Sequence, residues 1–193
     1  MKRAMKAIPW ILVIICMAGC ATVGKDFVRI PDDALVLGKT TIDDVVSRYG
    51  AMKLKDVQMN NMVLKKGSYN LTKASVGADL IPQKFQHFWF YEGRLVGYDY
   101  QNSFPGDSTD FDGSTRSEIE EKKSTISDVV RLFGPPNGKS IYPIADDVDS
   151  TVIEYSYFQA KQHPIRFYNK TLKFTIDNQG IVTKISYTEY GEK

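Results

Sequence analysis

The sequence predicts an α+β fold made of two tandem units, each a short N-terminal helix packed on an antiparallel β-sheet. Three observations carry that expectation. Lys39–Gly50 (KTTIDDVVSRYG) recurs 84 positions later as Lys123–Gly134 (KSTISDVVRLFG), with seven of twelve residues identical. Such self-similarity bears on the whole architecture. Each copy has helical spacing of apolar residues: Ile42, Val45, Val46 and Tyr49 in the first, Ile126, Val129, Val130 and Phe133 in the second. Each copy is then followed by strand-like runs ending in a hairpin, the order of an α+β chain.

The helices carry start and stop signals. Thr41 and Thr125 precede the first apolar residue, where a hydroxyl accepts from an otherwise unpaired N–H. Asp44 and Asp128 follow three residues on, a capping box with Asp in place of Glu or Gln. Gly50 and Gly134 are expected as left-handed C′ residues, and Pro135-Pro136 forbids continuation of the second helix. Two unrelated amphipathic helices are the simpler account, but cap, face and stop match together, which favours duplication.

Along the chain, residues 1–19 form a signal peptide: Lys2, Arg3 and Lys6 precede a short apolar run, Ile8 to Met17. About ten apolar residues are too few to span a bilayer, which takes roughly 20. Residues 20–33 are expected as a tether closed by the Pro31-Asp32-Asp33 turn, and 34–104 as the first unit. Within it, Val57–Leu64 and Tyr69–Val76 are candidate strands around a Lys65-Lys66-Gly67-Ser68 turn. Phe85–Tyr91 and Leu95–Gln101 form a firmer hairpin, with Phe88 and Phe90 on one face and Phe85, His87, Trp89 and Tyr91 on the other. Residues 105–118 form a linker rich in Ser, Asp and Gly. The second unit, 119–190, follows its helix with a Gly134–Gly138 exit loop and strands at Thr151–Phe158, Arg166–Ile176 and Ile181–Tyr190. Gln159–Pro164 is expected as a polar loop. The last hairpin matches that of the first unit when Gly93 is laid on Gly180.

Chemistry-bearing clusters are few. His87 and His163 are the only histidines, and a strand histidine among aromatics is expected to pack rather than act as a base. Asp110-Phe111-Asp112-Gly113 invites a calcium-loop reading, but placing Gly113 at loop position 6 puts Ile119 where the bidentate Glu belongs. No cofactor or metal site is assigned, and Asp146-Asp147-Val148-Asp149 is an acidic run on a loop. G-x-S-x-G, H-E-x-x-H and Gly-rich phosphate loops are absent from the sequence, and a non-enzymatic role is expected. Loss of Lys2, Arg3 and Lys6 turns the formal charge from +2 to −1, so a nucleic-acid partner is not expected. Tyr91, Tyr98, Tyr100, Tyr155, Tyr157, Tyr168, Tyr187 and Tyr190 fall on the expected strands. Some are expected on an open sheet face, where tyrosine suits protein contact; ordinary sheet composition is the alternative.

Met17-Ala18-Gly19-Cys20 resembles the bacterial lipoprotein signal, with Met17 where that family usually has Leu. The resemblance implies cleavage before Cys20, acyl chains on Cys20, and no thiol left to form a disulfide. With Ala21 rather than Asp next, it also implies the outer membrane, facing the periplasm. Thr125, Val129, Gly134, Pro135, Tyr155, Phe174, Gly180 and Val182 resemble the pattern of the SmpA/OmlA-type lipoproteins, which include a small lipoprotein of the barrel-assembly machinery. That family has one such unit rather than two, and Ala51 stands where it usually has Pro. The tandem arrangement is similar to the β-lactamase inhibitory protein, which binds an enzyme on its sheet. These resemblances imply a lipid-anchored module binding another envelope protein, with a small-ligand or lipid carrier as one alternative. An enzyme inhibitor inserting Gln159–Pro164 or Leu80–Lys84 is the other.

Overall fold

The computed structural model describes residues 21–193 apart from residue 76; the expected signal peptide and Cys20 lie outside the described residues. Among the described residues two α-helices form, α1 (Ile42–Tyr49) and α2 (Ile126–Phe133). The strands are β1 (Ala21–Gly24), β2 (Lys53–Met59), β3 (Met62–Ala74), β4 (Leu80–Ile81), β5 (Gln83–Tyr91) and β6 (Arg94–Asn102) in the first half. The second half adds β7 (Gly138–Ser140), β8 (Thr151–Gln162), β9 (Ile165–Ile176) and β10 (Val182–Gly191). All ten belong to one antiparallel sheet in the order β1-β3-β5-β6-β7-β8-β9-β10, with β2 also on β3 and β4 on β8.

This overturns the expected fold class. The chain does not make two tandem units with a sheet under each helix; a single large sheet with two short helices runs through both halves. The physical reason lies in the segment expected to be only an exit loop. Gly138–Ser140 forms β7, which pairs with β6 (Gly97↔Ser140, Asp99↔Gly138) and with β8 (Gly138↔Glu154, Ser140↔Val152). Gly138 permits this insertion, since a Cβ there would lie 3.0 Å from the Tyr98 carbonyl oxygen and 3.3 Å from Glu154 Cβ. Just before β7 begins, Asn137 extends the splice. Its backbone carbonyl accepts from the Tyr100 N–H at 2.7 Å, and its N–H donates to the Glu154 carbonyl at 3.0 Å. Its side chain then acts as an extra peptide group: Nδ2 donates to the Ser156 carbonyl at 2.7 Å, and Oδ1 accepts the Ser156 N–H at 2.9 Å.

Both helices form as their caps predict. Thr41 Oγ1 accepts from the Asp44 N–H at 3.1 Å while Asp44 Oδ2 accepts from the Thr41 N–H at 2.9 Å. Thr125 and Asp128 repeat the box at 3.3 and 2.9 Å. Hydrogen bonds from the threonines hold both carboxyls below the usual aspartate range. The closing glycines depart from expectation: Gly50 (φ 90°, ψ 176°) and Gly134 (φ 76°, ψ −169°) have positive φ but extended ψ, not a left-handed helical turn. That region is essentially open only to glycine. It swings each glycine carbonyl to a strand tyrosine, Tyr69 Oη donating to Gly50 at 2.6 Å and Tyr155 Oη to Gly134 at 2.7 Å. Thr41→Ala and Thr125→Ala are each expected to cost about 1 kcal/mol, read as a lower urea midpoint at unchanged slope.

One sheet face carries both helices over two apolar clusters. Val45 of α1 packs with Ile30, Leu35, Phe88, Phe90, Leu95 and Tyr98; Val129 of α2 packs with Ile153, Tyr155, Leu172, Phe174, Ile176 and Val182. The β2–β3 turn falls at Asn60-Asn61, both at positive φ (50° and 62°), and β3 runs straight through Lys65–Ser68, where a turn was expected. Asparagine tolerates these angles, as a two-residue hairpin turn requires. β8 likewise continues through Gln162, so Gln159–Pro164 is mostly hairpin strand rather than loop. Residues 21–30, expected as tether, are held along the sheet. Ala21–Gly24 pair with Leu71–Ala74, and the buried Gln86 amide brackets Ile30, accepting its N–H at 2.8 Å and donating to its carbonyl at 3.1 Å.

Candidate interaction face

Because strand side chains alternate, the residues between those of the helix-side core point to the other face. Phe88 and Phe90 sit under α1, so Phe85, His87 and Trp89 of β5 point away from the helices, as the sequence pattern predicts. The ladders extend that face sideways. Lys66 and Ser68 stand opposite Trp89 and His87, Gln101 and Asp99 opposite Phe85 and His87. On the second half, Glu154, Ser156 and Phe158 of β8 face Lys173, Thr171 and Asn169 of β9. One segment crosses this surface. Ile144 lies over Gly97, where a Cβ would sit 2.6 Å from Ile144 Cδ1, and Asn60 Nδ2 donates to the Pro143 carbonyl at 3.0 Å.

Beyond that strap the face is an aromatic row with charges at its centre. His87 stacks on Phe85 (6.0 Å between centroids) and tilts against Trp89 (5.8 Å). Phe158 meets Phe85 edge-on at 6.3 Å and stacks on Phe167 at 6.1 Å, so the row passes from one half of the chain to the other. All four of Phe85, His87, Trp89 and Phe158 are only partly buried. Asp99 Oδ1 lies 2.8 Å from His87 Nδ1. A carboxylate only accepts, so Nδ1 carries the proton and Nε2 is directed away from Asp99. Lys66 Nζ lies 4.8 Å above the Trp89 ring, and Lys173 Nζ lies 3.0 Å from Glu154 Oε2.

Burial raises the Glu154 carboxyl above the usual range; Lys173 opposes this and nearby Asp99 adds to it. Burial likewise lowers the Lys66 ammonium, against the pull of Asp99. For a carboxyl raised on folding, the folded state binds the proton more tightly, so stability is greatest below the unfolded value and falls as pH rises through the folded one. Glu154→Gln is therefore expected to flatten the decline in unfolding free energy above about pH 4.5, the unperturbed value, measured by urea titrations on either side of it.

Most of the strand tyrosines fall elsewhere than the open face. Tyr98, Tyr100, Tyr155, Tyr157 and Tyr168 are buried on the helix side, and burial pushes the Tyr100 hydroxyl up to about 12. Of the eight expected on strands, Tyr91 and Tyr190 lie on the open side, at its margins. Trp89, His87, Phe85 and Phe158 take their place; alternation around Phe88 and Phe90 marked the first three, whereas Phe158 joins them only through the splice at Asn137. The aspartates of the expected linker have protein partners: Asp107 accepts from Asn102 Nδ2 at 2.8 Å, Asp112 from the Ser114 N–H at 2.9 Å, and Asp110 pairs with Lys170 at 2.6 Å. Among the described residues no group of His, Cys, Asp or Glu is placed to hold a metal ion, and no helix is long and apolar enough to cross a membrane.

Several cavities adjoin the other side and edge, among them two next to strand tyrosines. One of about 400 Å³ lies between the Gly24–Ile30 segment, the end of α1 and β3, and is lined by Phe27, Ile30, Tyr49, Met52 and Tyr69. A second, about 300 Å³, lies between the linker and the end of α2, beside Tyr100, Asp107, Phe133 and Tyr155. The two segments expected to serve as free inserting loops are joined: Leu80 and Ile81 pair with Lys161 and Ala160.

No known protein family matches the chain, the SmpA/OmlA-type lipoproteins included, and no curated protein matches it. Among solved structures it is similar to one titled "putative beta-lactamase inhibitor protein" from Streptococcus mutans, at 12% identity and a TM-score of 0.45, over 81% of this chain and 91% of that one. A likeness at that level carries no argument about function.

Proposed function

We propose that this chain is a non-enzymatic, lipid-anchored binding module on the periplasmic side of the outer membrane, engaging another envelope protein through the helix-free face of its sheet. The observation that supports it is the aromatic row Trp89–His87–Phe85–Phe158, left partly exposed beside the Lys66, Asp99, Glu154 and Lys173 charges. Rigid aromatics are enriched at the centres of protein contacts, with polar and charged groups toward the rim. The lipoprotein-like signal ending in Cys20 supplies the anchor and compartment in this reading. A photoreactive residue at Phe158 should crosslink in cells to an envelope protein identified by mass spectrometry. Finding no such adduct, with the same residue at Phe158 leaving membrane retention intact, would count against the module.

A carrier of a small apolar ligand is the second reading, favoured by the 400 Å³ cavity beside Phe27 and Tyr69, within the usual range for ligand sites of about 300–1,000 Å³. Native mass spectrometry of the purified protein separates it from the first: a bound lipid lost on Tyr69→Arg supports the carrier, and bare protein sinks it. Enzyme inhibition would have to use the sheet face or the paired Leu80–Ile81/Ala160–Lys161 margin as a whole, since neither segment is free to insert alone.

A further inference from the structure

Where the chain enters the sheet decides which end of the molecule meets the membrane. Ala21 is already paired with Ala74, and it follows Cys20 directly. One residue reaches at most about 3.6 Å, so an anchor on Cys20 leaves almost no slack. The ladders show what else lies at that end. Thr72 pairs with Gln83, whose carbonyl accepts from Ser103 at 2.8 Å; β4 joins β8 through Leu80↔Lys161, and Gln162 donates to the Asp79 carbonyl at 2.9 Å. Ile165 and Phe167 pair with Gln162 and Ala160 at the β8–β9 turn, and Gly191 pairs with Tyr168. The start of β1, the β3–β4 connection, the β8–β9 turn and the end of β10 therefore share one end of the sheet.

That end carries exposed apolar side chains that the fold leaves uncovered: Ile165 is 73% exposed, Tyr190 58% and Phe167 53%. Cations stand at the same end on the opposite, helix-side face, since Lys161 and Arg166 pair with each other between the Gln162–Ile165 and Ala160–Phe167 pairs. Lys161 lies 3.7 Å from Asp79 and Arg166 3.7 Å from Glu192, distances that leave donors available, and Lys73 stands over Phe104 at 5.8 Å. A sheet end with aromatic and aliphatic side chains on one face and long cations on the other fits the headgroup layer of a bilayer when it enters end-on, where the rings settle and the ammonium and guanidinium groups reach phosphate.

We propose that this end of the sheet is a lipid-contact surface, with Ile165, Phe167 and Tyr190 seated among the headgroups and Lys73, Lys161 and Arg166 on their phosphates. The proposal rests on acylation of Cys20. Its consequence is orientation: the strands run away from the bilayer, and Trp89, six residues up β5 from Gln83, stands about 20 Å higher at roughly 3.4 Å per residue. The Trp89–His87 end of the aromatic face is thereby presented side-on, above the lipid, while Phe158, stacked on Phe167, lies just over the headgroups.

The test uses the full acylated protein in vesicles of phosphatidylethanolamine and phosphatidylglycerol with brominated acyl chains. With Trp10 in the cleaved segment, Trp89 is the one tryptophan; Trp89→Phe with Phe167→Trp, or with Ile165→Trp, moves the reporter to the membrane end. Emission at 167 or 165 should fall by roughly half, as expected of a ring within about 5–10 Å of the acyl boundary, while Trp89 in the parent protein is unquenched. Labelling by a palmitate analogue, lost on Cys20→Ser, is read on the same material. Label without quenching at either position overturns the lipid contact and leaves the anchor standing. Equal quenching at 89 and 167 overturns the upright orientation, and absence of label overturns the anchor itself. If the surface instead meets a protein, quenching is absent from labelled vesicles, which again overturns the proposal.

Discussion

Phe174→Ala is expected to lower the unfolding free energy by about 3–5 kcal/mol, the usual cost of emptying a buried phenylalanine site. Phe174 is fully buried under α2, in ring contact with Phe133 at 5.6 Å and Tyr155 at 6.3 Å. The diagnostic part is the reporter. Trp89 lies in the other half of the chain, on β5, and its emission should change at the same reduced urea midpoint as the far-ultraviolet signal. One sheet running from β1 to β10 unfolds as one body; two separate units would leave Trp89 at the wild-type midpoint. A split transition, with Trp89 unmoved, would sink the single-sheet account.

Asn137→Ala is expected to cost about 2–3 kcal/mol, because it removes no apolar packing but strips the buried Ser156 N–H of its acceptor. The Ser156 carbonyl keeps a bond from Thr109 Oγ1 at 3.0 Å, so the donor is the group left unpaired. Asn137→Asp should do no better: it retains an acceptor for that N–H but sets a carboxylate oxygen against the Ser156 carbonyl. Hydrogen exchange at Ser156 should accelerate in both variants well before global unfolding does. Unchanged protection there would mean that β6 and β8 are joined by β7 alone.

Local chemistry was legible where it depends on near neighbours. The Thr41/Asp44 and Thr125/Asp128 boxes, the apolar helix faces and the hairpin of Phe85–Gln101 all rest on residues a few positions apart, and all are present. Even there one turn was misplaced. Lys65-Lys66-Gly67-Ser68 has turn composition, yet the strand runs through it because Asn60-Asn61 already turns the chain. The fold class failed for a different reason. Gly134–Gly138 carries every mark of a loop, and nothing near it in sequence announces that Asn137 will bond to Ser156 and Tyr100.

The candidate face divides along the same line. Alternation around Phe88 and Phe90 was enough to place Phe85, His87 and Trp89 together on the face opposite the core. Their junction with Phe158 and Phe167, and the approach of Asp99 to Glu154, exist only because β7 and Asn137 join β6 to β8. Tyrosine content marked the open face poorly: most of the phenols lie on the helix side of the sheet, where several hydroxyls reach backbone or carboxylate partners.

From residues alone follow the two capped helices, the faces they bury and the lipoprotein-like start, since each is set by interactions or patterns within about a dozen positions. Tertiary structure decided that the sheet is single, that residues 21–30 lie along it, and that one aromatic row spans both halves. Those depend on hydrogen bonds between groups tens of residues apart, Gln86 with Ile30 and Asn137 with Ser156, for which spacing in the sequence holds no signal.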